Sequence, residues 1–224
     1  SELGNERMAN AFDMLNLGRA TGVKLPAEDR GIIPGSEWWQ RELHPGESMT
    51  PARMAMLAIG QDESEATPLQ LAALTACIAN GGKYYRPRII KMAVDPKEGI
   101  LISDIPELRV DLVTEGMDSA QFADLRQGMW KAANELGGTA RRASPEDVEI
   151  GAKTGTAQTT DFGEKSHNAW TVAFGPFEEP RYAVAVMVQN GKSGGKVCGP
   201  LVNLIFRGLF AAEKGLKLPL RRMG

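Results

Sequence analysis

Three strand-like runs near the end of the chain decide its fold: Val148-Glu-Ile-Gly-Ala-Lys-Thr-Gly155, Ala169-Trp-Thr-Val-Ala-Phe-Gly175 and Tyr182-Ala-Val-Ala-Val-Met-Val188. They are rich in β-branched and aromatic residues, which favour strands. The link between the last two runs, from Pro176 to Pro180, has the length of a hairpin loop. Because the strands follow one another without helices between them, they predict an antiparallel sheet.

Helices flank these strands in the sequence. The pairs Thr50-Pro51 and Thr67-Pro68 are start signals for two helices, since the hydroxyl caps the first turn and proline fits the first helical position. The second of these helices is expected from Leu69 to Asn80, ended by Gly81-Gly82. Apolar residues at helical spacing predict three more helices, at Glu6 to Leu17, Ser119 to Leu136 and Leu201 to Lys214. This order of elements predicts the α+β class.

Weaker signals cover the regions between these elements. Arg86 to Ala93 predicts a short strand or an extended segment, and residues 94–113 predict a polar connection with weak strand character. The irregular stretch before Pro51 contains Trp38-Trp39, and linkers do not carry two tryptophans. We therefore expect a packed excursion there, with the two tryptophans and His44 in structural surface packing.

Composition and charge exclude several function classes. Lys and Arg number 26 and Asp and Glu 28, which gives a net charge of −2 and predicts no nucleic-acid partner. Cys77 and Cys198 form no metal-site pattern, so no metal or cofactor is expected. Cys77 lies in an apolar run and predicts a buried free thiol, although a single disulfide stays possible. No stretch approaches the roughly 20 apolar residues that span a bilayer, so we expect the chain itself to be soluble.

The candidate chemistry is concentrated in Lys153-Thr-Gly-Thr156. Strand alternation places Lys153 and Gly155 on one face and Thr154 and Thr156 on the other. Gly155 lets a ligand approach the backbone, and the N–H groups of an edge strand bind an extended peptide or a developing oxyanion. Lys153 supplies positive charge for a carboxylate or an activated serine. The same tripeptide is common in unrelated proteins, so on its own it favours no function.

Seven segments in a fixed order give this strand a context, because together they resemble the transpeptidase domain of the class B penicillin-binding proteins. They are Leu17 to Pro26, Gly31 to Trp38, Ile59-Gly-Gln61 with Thr67 to Leu71, Ile78 to Gly82 with Arg86-Pro87, Gly138-Thr-Ala140, Ala152 to Gln158, and Ala169 to Gly191. The resemblance is strongest to the elongation-type enzymes, on the basis of Gly31 to Trp38. It implies a β-lactamase/transpeptidase-like antiparallel sheet with flanking helices. It identifies residues 1–224 as the C-terminal portion of that domain, with the N-terminal part missing.

The resemblance implies a peptidoglycan D,D-transpeptidase as the function of the whole protein. In such an enzyme a serine attacks the penultimate D-Ala carbonyl of a stem peptide, D-Ala leaves, and an amine of a second stem resolves the acyl-enzyme. β-Lactams imitate the donor and acylate the same serine. The implied location is the extracytoplasmic face of the inner membrane in the bacterial cell envelope, with the parent protein anchored in that membrane.

The resemblance also assigns roles to the four residues of the strand. Lys153 keeps the site electropositive, and Thr154 and Thr156 hydrogen-bond the terminal carboxylate of the donor. The backbone N–H of Thr156 is one of two oxyanion donors. Lys153 and Thr156 are thus the candidate catalytic residues, and all four, Lys153, Thr154, Gly155 and Thr156, are candidate substrate-binding residues.

The family's other two motifs, S-x-x-K with the acylated serine and S-x-N, lie upstream of the segment that begins at Leu17. Two strings in this chain fit them only as strings. Ser193-Gly-Gly-Lys196 follows the last strand and predicts a flexible turn into the final helix, and Ser166-His-Asn168 lies in a connection after K-T-G. We therefore expect the isolated chain to be inactive.

Two alternatives remain open at this point. One is a non-catalytic scaffold or binding protein that keeps the fold without the nucleophile, and the weaker one is part of a β-lactamase or β-lactam sensor. In the family, the strand around Val184 to Val188 pairs with a strand from the N-terminal side. An open edge there predicts pairing with the missing segment or self-association.

Overall fold

The computed structural model describes residues 5–61, 63–161 and 164–216. These residues form two compact units, Ser1–Ser119 and Ala120–Gly224. Helices and strands occur in both units, and the strands of every pair run antiparallel, which confirms the α+β prediction. Within the described residues, no helix is both long and apolar enough to cross a membrane.

The first unit contains three helices and two small sheets. The helices are α1 (Asn5–Met14), α2 (Pro51–Ala58) and α3 (Pro68–Ala79). The strands are β1 (Lys83–Tyr85), β2 (Met92–Asp95), β3 (Gly99–Ser103) and β4 (Leu108–Asp111). β1 pairs with β4, and β2 pairs with β3.

The capping residues of α2 and α3 confirm the predicted helix starts. Thr50 accepts a hydrogen bond from the N–H of Arg53, and Thr67 forms a reciprocal capping box with Gln70. Gln70 is fully buried, and its amide also donates to the carbonyl oxygens of Arg19 at 2.7 Å and Arg30 at 2.8 Å. The side chain therefore fastens the loop before α2 to the start of α3, which gives the T-P-x-Q segment a structural role.

The predicted end of the first helix is wrong by three residues. The N–H of Asn16 bonds the carbonyl oxygen of Asp13, and the N–H of Leu17 bonds that of Phe12. Asn16 has a φ of 56°. This is a Schellman ending with asparagine in the left-handed position, so the helix stops at Met14 and does not reach Gly18.

Strand content was underestimated between residues 94 and 113, where β3, β4 and most of β2 lie. The predicted strand from Arg86 to Ala93 is likewise wrong in its bounds, because β1 ends before it and β2 begins at Met92. Side chains such as Val94 and Ile100 are 58% and 64% exposed. A hairpin without a buried face lacks the alternation of apolar and polar residues by which strands are recognised.

The two tryptophans before α2 differ in burial, so the surface-packing prediction is wrong for Trp39. Its side chain is completely buried and packs in a cluster with Met49 and Leu57, while Trp38 is partly buried at the border of that cluster. The ring of His44 stacks on Trp39 with centroids 4.2 Å apart. The indole N–H donates to Glu63 at 3.0 Å, which satisfies the buried polar atom.

The second unit contains a three-stranded sheet and two long helices. The helices are α4 (Ser119–Asn134) and α5 (Gly199–Glu213), and the strands are β5 (Gly151–Asp161), β6 (Glu164–Gly175) and β7 (Tyr182–Val188), in the order β5-β6-β7. A short 3₁₀ turn, Arg141–Ala143, precedes β5, and a π-helical turn, Gly194–Cys198, leads into α5. Buried residues of α5, including Val202 and Phe206, pack against Ala152 and Ala173 of the sheet.

The structure shifts the limits of the predicted strands. β5 begins at Gly151 instead of Val148, and β5 and β6 extend toward each other to Asp161 and Glu164. Polar residues fill this extension, so the apolar runs captured only the part of each strand that touches the core. β7 and the loop from Pro176 to Pro180 agree with the prediction.

Candidate functional site

The K-T-G strand lies at one side of the three-stranded sheet. Lys153, Thr154, Gly155 and Thr156 pair with Val172, Thr171, Trp170 and Ala169 of β6, respectively. Within the described residues, β5 has β6 as its only strand partner, so its outer edge faces no other strand. An edge of this kind can receive an extended peptide through its backbone groups.

The two faces of β5 carry different chemistry, as strand alternation predicts. Thr154 and Thr156 line one cavity. The Thr154 hydroxyl lies 3.1 Å from the hydroxyl of Thr139 in the segment before the strand. Lys153 does not line this cavity, and its ammonium group donates to the carbonyl oxygen of Thr154. The structure thus brings the two threonines together and leaves the lysine apart from them.

The glycine pair Gly194-Gly195 forms the floor of this cavity. A Cβ on Gly194 would lie 2.1 Å from the carbonyl oxygen of Trp170 and 2.5 Å from that of Gly155. A Cβ on Gly195 would lie 2.2 Å from the carbonyl oxygen of Thr139. The prediction of a flexible turn is therefore wrong, because backbone packs on backbone at both glycines and neither can carry a side chain.

The cavity has a volume of about 700 Å³ and a polar, cationic lining. Four hydroxyl groups contribute, those of Thr139, Thr154, Thr156 and Ser193. Three cations also line it, namely Arg141, Arg142 and Lys196. Chemically, such a lining can hold an anion by charge-assisted hydrogen bonds.

Sequence reasoning missed part of this lining. Ser193 and Lys196 were set aside as a chance match to S-x-x-K, yet both lie in the same cavity as Thr154 and Thr156. The two glycines between them were the available signal, since a pair of glycines permits close backbone packing. Ser166, of the other chance match, is not part of the cavity, and its hydroxyl bonds the side chain of Asn190.

A second, smaller cavity of about 270 Å³ lies in the first unit. Its lining includes three arginines, Arg19, Arg30 and Arg41, together with Asp13, Glu37 and Trp38. The arginines are engaged: Arg19 pairs with Asp13, Arg41 pairs with Glu42 at 2.7 Å, and Arg30 stacks over Trp38 at 4.3 Å. These contacts satisfy the cations within the unit, so the cavity has little capacity for an anion.

The two cysteines are both free and buried, as was predicted for Cys77. Burial raises the pKa of Cys77 to about 12, with a smaller contribution from the nearby Asp111. Burial also raises the pKa of Cys198. Across the described ranges, no group of three or more His, Cys, Asp or Glu side chains is arranged to hold a metal ion.

Comparison with known sequences identifies the family. Residues 1–207 match the penicillin binding protein transpeptidase domain. The peptidoglycan D,D-transpeptidase MrdA of Haemophilus influenzae is 27% identical over 218 residues, which cover 91% of this chain and 32% of that protein. Stage V sporulation protein D of Bacillus subtilis is 32% identical over 212 residues, covering 92% of this chain and 30% of that protein. The chain therefore spans about a third of the length of these relatives.

Solved structures give the same result. PBP2 of Helicobacter pylori, determined in complex with MreC, is 29% identical with a TM-score of 0.75, and the match covers 95% of this chain and 37% of that one. PBP2 of Pseudomonas aeruginosa, determined in complex with WCK 5153, is 29% identical with a TM-score of 0.74, covering 97% of this chain and 46% of that one. The extent of the family match and the similarity to MrdA and PBP2 proteins together show that the chain belongs to the penicillin-binding protein transpeptidase family, as a class B member of the elongation type.

Proposed function

We propose that residues 1–224 are the C-terminal portion of a transpeptidase domain and act, within the full-length protein, in peptidoglycan cross-linking. One observation carries this proposal: the K-T-G strand lies at a sheet edge, with the hydroxyls of Thr154 and Thr156 on a cavity lined by cations. A peptide added to that edge would have its chain held by backbone hydrogen bonds and its carboxylate held by the threonines.

The proposed reaction is acyl transfer in two steps. The serine oxygen forms a bond to the penultimate D-Ala carbonyl carbon, the C–N bond to the terminal D-Ala breaks, and D-Ala leaves after its nitrogen is protonated. An amine of a second stem peptide then attacks the ester, a new C–N bond forms, and the serine regains its proton. Both steps pass through a tetrahedral oxyanion, so donors aimed at that oxygen lower both barriers.

We assign roles to the strand residues on this basis. The N–H of Thr156 donates to the oxyanion, and an oxyanion donor contributes about 3 kcal/mol to such barriers. The hydroxyls of Thr154 and Thr156 bind the donor carboxylate, and Gly155 keeps side-chain bulk away from the peptide. Lys153 maintains positive potential beside the serine. β-Lactams occupy the same positions as the donor.

The nucleophilic serine and the S-x-N motif are proposed to come from other parts of the full-length protein. These 224 residues alone are then inert toward penicillin, and Ser193 is not a nucleophile despite its place in the cavity. The proposed surroundings are the bacterial cell envelope, with a membrane anchor elsewhere in the protein. β7 is proposed to pair with a strand of the N-terminal segment, or with a second copy when that segment is absent.

Fluorescent penicillin tests the assignment. The full-length protein is expected to become labelled on a serine of an S-x-x-K motif outside these residues, and Thr154→Val to slow labelling by about tenfold or more, because a hydrogen bond to a charged group is lost. Ser166→Ala is the control and should not change the rate. The isolated chain should stay unlabelled, with or without Ser193→Ala. Labelling at Ser193 would falsify the proposed division of the active site.

The second candidate function is a non-catalytic scaffold with the same fold. It requires a parent protein that lacks a working S-x-x-K serine. If the full-length protein binds stem peptides yet forms no acyl-enzyme with penicillin at any concentration, the scaffold replaces the transpeptidase as the function.

A further inference from the structure

The cations of the second unit's cavity are not neutralised by the protein. Asp and Glu are absent from the residues that line it. In the described part of the chain, no carboxylate forms an ion pair with Arg141, Arg142 or Lys196. Charge of one sign in a concave site concentrates the electrostatic potential there and attracts ligands of the opposite sign. The cavity is therefore electrostatically complementary to an anion.

Local contacts place these cations beside the threonines of the K-T-G strand. Thr154 contacts Thr139, which lies two residues before Arg141. On the other side, Gly194 packs on the backbone of Gly155, and Lys196 follows two residues later. The hydroxyl of Thr171, the residue opposite Thr154, donates to the carbonyl oxygen of Gly194 at 3.2 Å and keeps this turn against the sheet. A carboxylate bound by Thr154 and Thr156 would thus enter the cavity that the cations line.

Lys153 cannot fill this role in the structure. Its side chain lies outside the cavity and bonds the carbonyl oxygen of Thr154. Two neutral hydroxyls would otherwise hold a charged carboxylate without a cation nearby. Positive charge for the carboxylate must come from another source, and the lining offers three cations from two separate segments of the chain.

We propose that Arg141, Arg142 and Lys196 determine the donor specificity of the site by binding the C-terminal carboxylate of the acyl donor. The inference rests on the proposed function and adds the substrate class: donors that end in a free carboxylate one residue beyond the scissile bond. Donors with an amidated or esterified C-terminus lose the attraction and are discriminated against.

The test compares two donors in the full-length protein. One is a peptide that ends in D-Ala-D-Ala with a free carboxylate, and the other is its C-terminal methyl ester. The variant R141Q/R142Q/K196Q removes the three charges, while K131Q/R207Q/K214Q removes three exposed cations elsewhere and serves as a control of equal charge. We expect the first variant to lower kcat/KM for the free acid about tenfold or more and for the ester less than about twofold. The control should change neither.

The outcomes separate the two proposals. If the wild-type protein is acylated by penicillin but the triple variant keeps its preference for the free acid, the carboxylate role of the cations is wrong while the transpeptidase stands. An equal loss for both donors makes the cations structural and also overturns the inference. If the wild-type protein is not acylated at all, the proposed function fails and the inference fails with it. The single variants R141Q and K196Q, together with thermal unfolding of each protein, identify any variant that is merely misfolded.

Discussion

The two cavities of the molecule contain the same number of cations but use them in opposite ways. In the first unit, Arg19 and Arg41 are paired with carboxylates and Arg30 is stacked on Trp38. In the second unit, Arg141, Arg142 and Lys196 face hydroxyl groups and the backbone of two glycines. The number of cations therefore does not define an anion site. What distinguishes such a site is whether the protein has already supplied the counter-charge.

The second difference is the floor of each cavity. Gly194 and Gly195 allow the turn before α5 to lie on the backbone of β5, which sets the cavity's depth. In the first unit, side chains such as Leu17 and Ile33 line the cavity instead. A backbone floor leaves no room for a methyl group, whereas side chains can adjust. The largest effect is therefore expected at the glycines.

Substitution Gly194→Ala should be the most damaging of the changes considered. Its new Cβ would lie 2.1 Å from a backbone oxygen of Trp170, so the turn must move away from the sheet. We expect a loss of about 3 kcal/mol in the free energy of unfolding, the upper part of the range for overpacked sites. Urea unfolding followed by circular dichroism measures it.

Gly128→Ala is the matched control for this change. Gly128 lies inside α4, and a Cβ there meets no atom within 4 Å. The same substitution should stabilise the protein by about 0.5–1 kcal/mol because alanine is the better helix former. Equal effects at the two glycines would contradict the close packing of Gly194.

An intermediate effect is expected for the engaged arginine of the first unit. Arg30→Met removes the stacking over Trp38 and the hydrogen bond from the guanidinium to the carbonyl oxygen of Gly18 at 3.0 Å. The expected loss is about 1–2 kcal/mol of unfolding free energy. Arg141→Met, in the other cavity, should change stability by less than about 0.5 kcal/mol, since no partner is lost. A reversed order of these two effects, measured by urea unfolding, would show that the first-unit cavity is the less satisfied one.

The acid dependence of stability should also divide between the cavities' units. In the first unit, the buried guanidinium of Arg86 bonds Asp104 at 2.7 Å and Glu107 at 2.6 Å. Hydrogen bonds from Arg86 hold the pKa of both carboxyl groups below their ordinary values. Stability from these depressed groups is present above their unfolded pKa values, near 4, and is lost as the pH falls through the lower folded values.

Arg86→Met tests this linkage. The wild-type protein should exceed the variant in unfolding free energy at pH 7, and the difference should shrink as the pH falls below about 4. R141Q/R142Q/K196Q should show no such change of the difference with pH, because its cations have no carboxylate partner among the described residues. A difference for Arg86→Met that is constant between pH 7 and pH 3 would exclude the ion pairs as its cause.

The sequence allowed the elements with local signals to be predicted, and the cavities show where such signals end. Thr50 and Thr67 are caps, so two helix starts followed from neighbouring residues alone. The K-T-G strand and its alternation could be predicted for the same reason. Which cations meet Thr154 could not, because Arg141 and Lys196 reach it from segments before β5 and after β7. Their proximity depends on the packing of Gly194 and Gly195, which no local pattern expresses.

The same reasoning explains the two helical and strand errors. The end of α1 depends on a left-handed asparagine, a conformation that asparagine adopts less often than glycine, so the glycine two residues later was preferred. The hairpin of β2 and β3 is exposed, so no buried face imposed an apolar alternation on it. In both places the structure is stabilised by hydrogen bonds, which leave a weaker trace in the sequence than burial does.

The smallest expected effect concerns the two thiols, which report on the two units separately. Cys77 lies in the first unit and Cys198 in the second, and both are buried and free. Because burial raises both pKa values, that of Cys77 to about 12, neither thiol should react with iodoacetamide at pH 8 while its unit is folded. In dilute urea, Arg30→Met should accelerate labelling of Cys77 and Gly194→Ala that of Cys198, each without accelerating the other, as read by mass spectrometry of the labelled peptides. Parallel acceleration of both thiols by either substitution would mean that the units unfold together, and the effects at the two cavities would then have to be treated as one cooperative response.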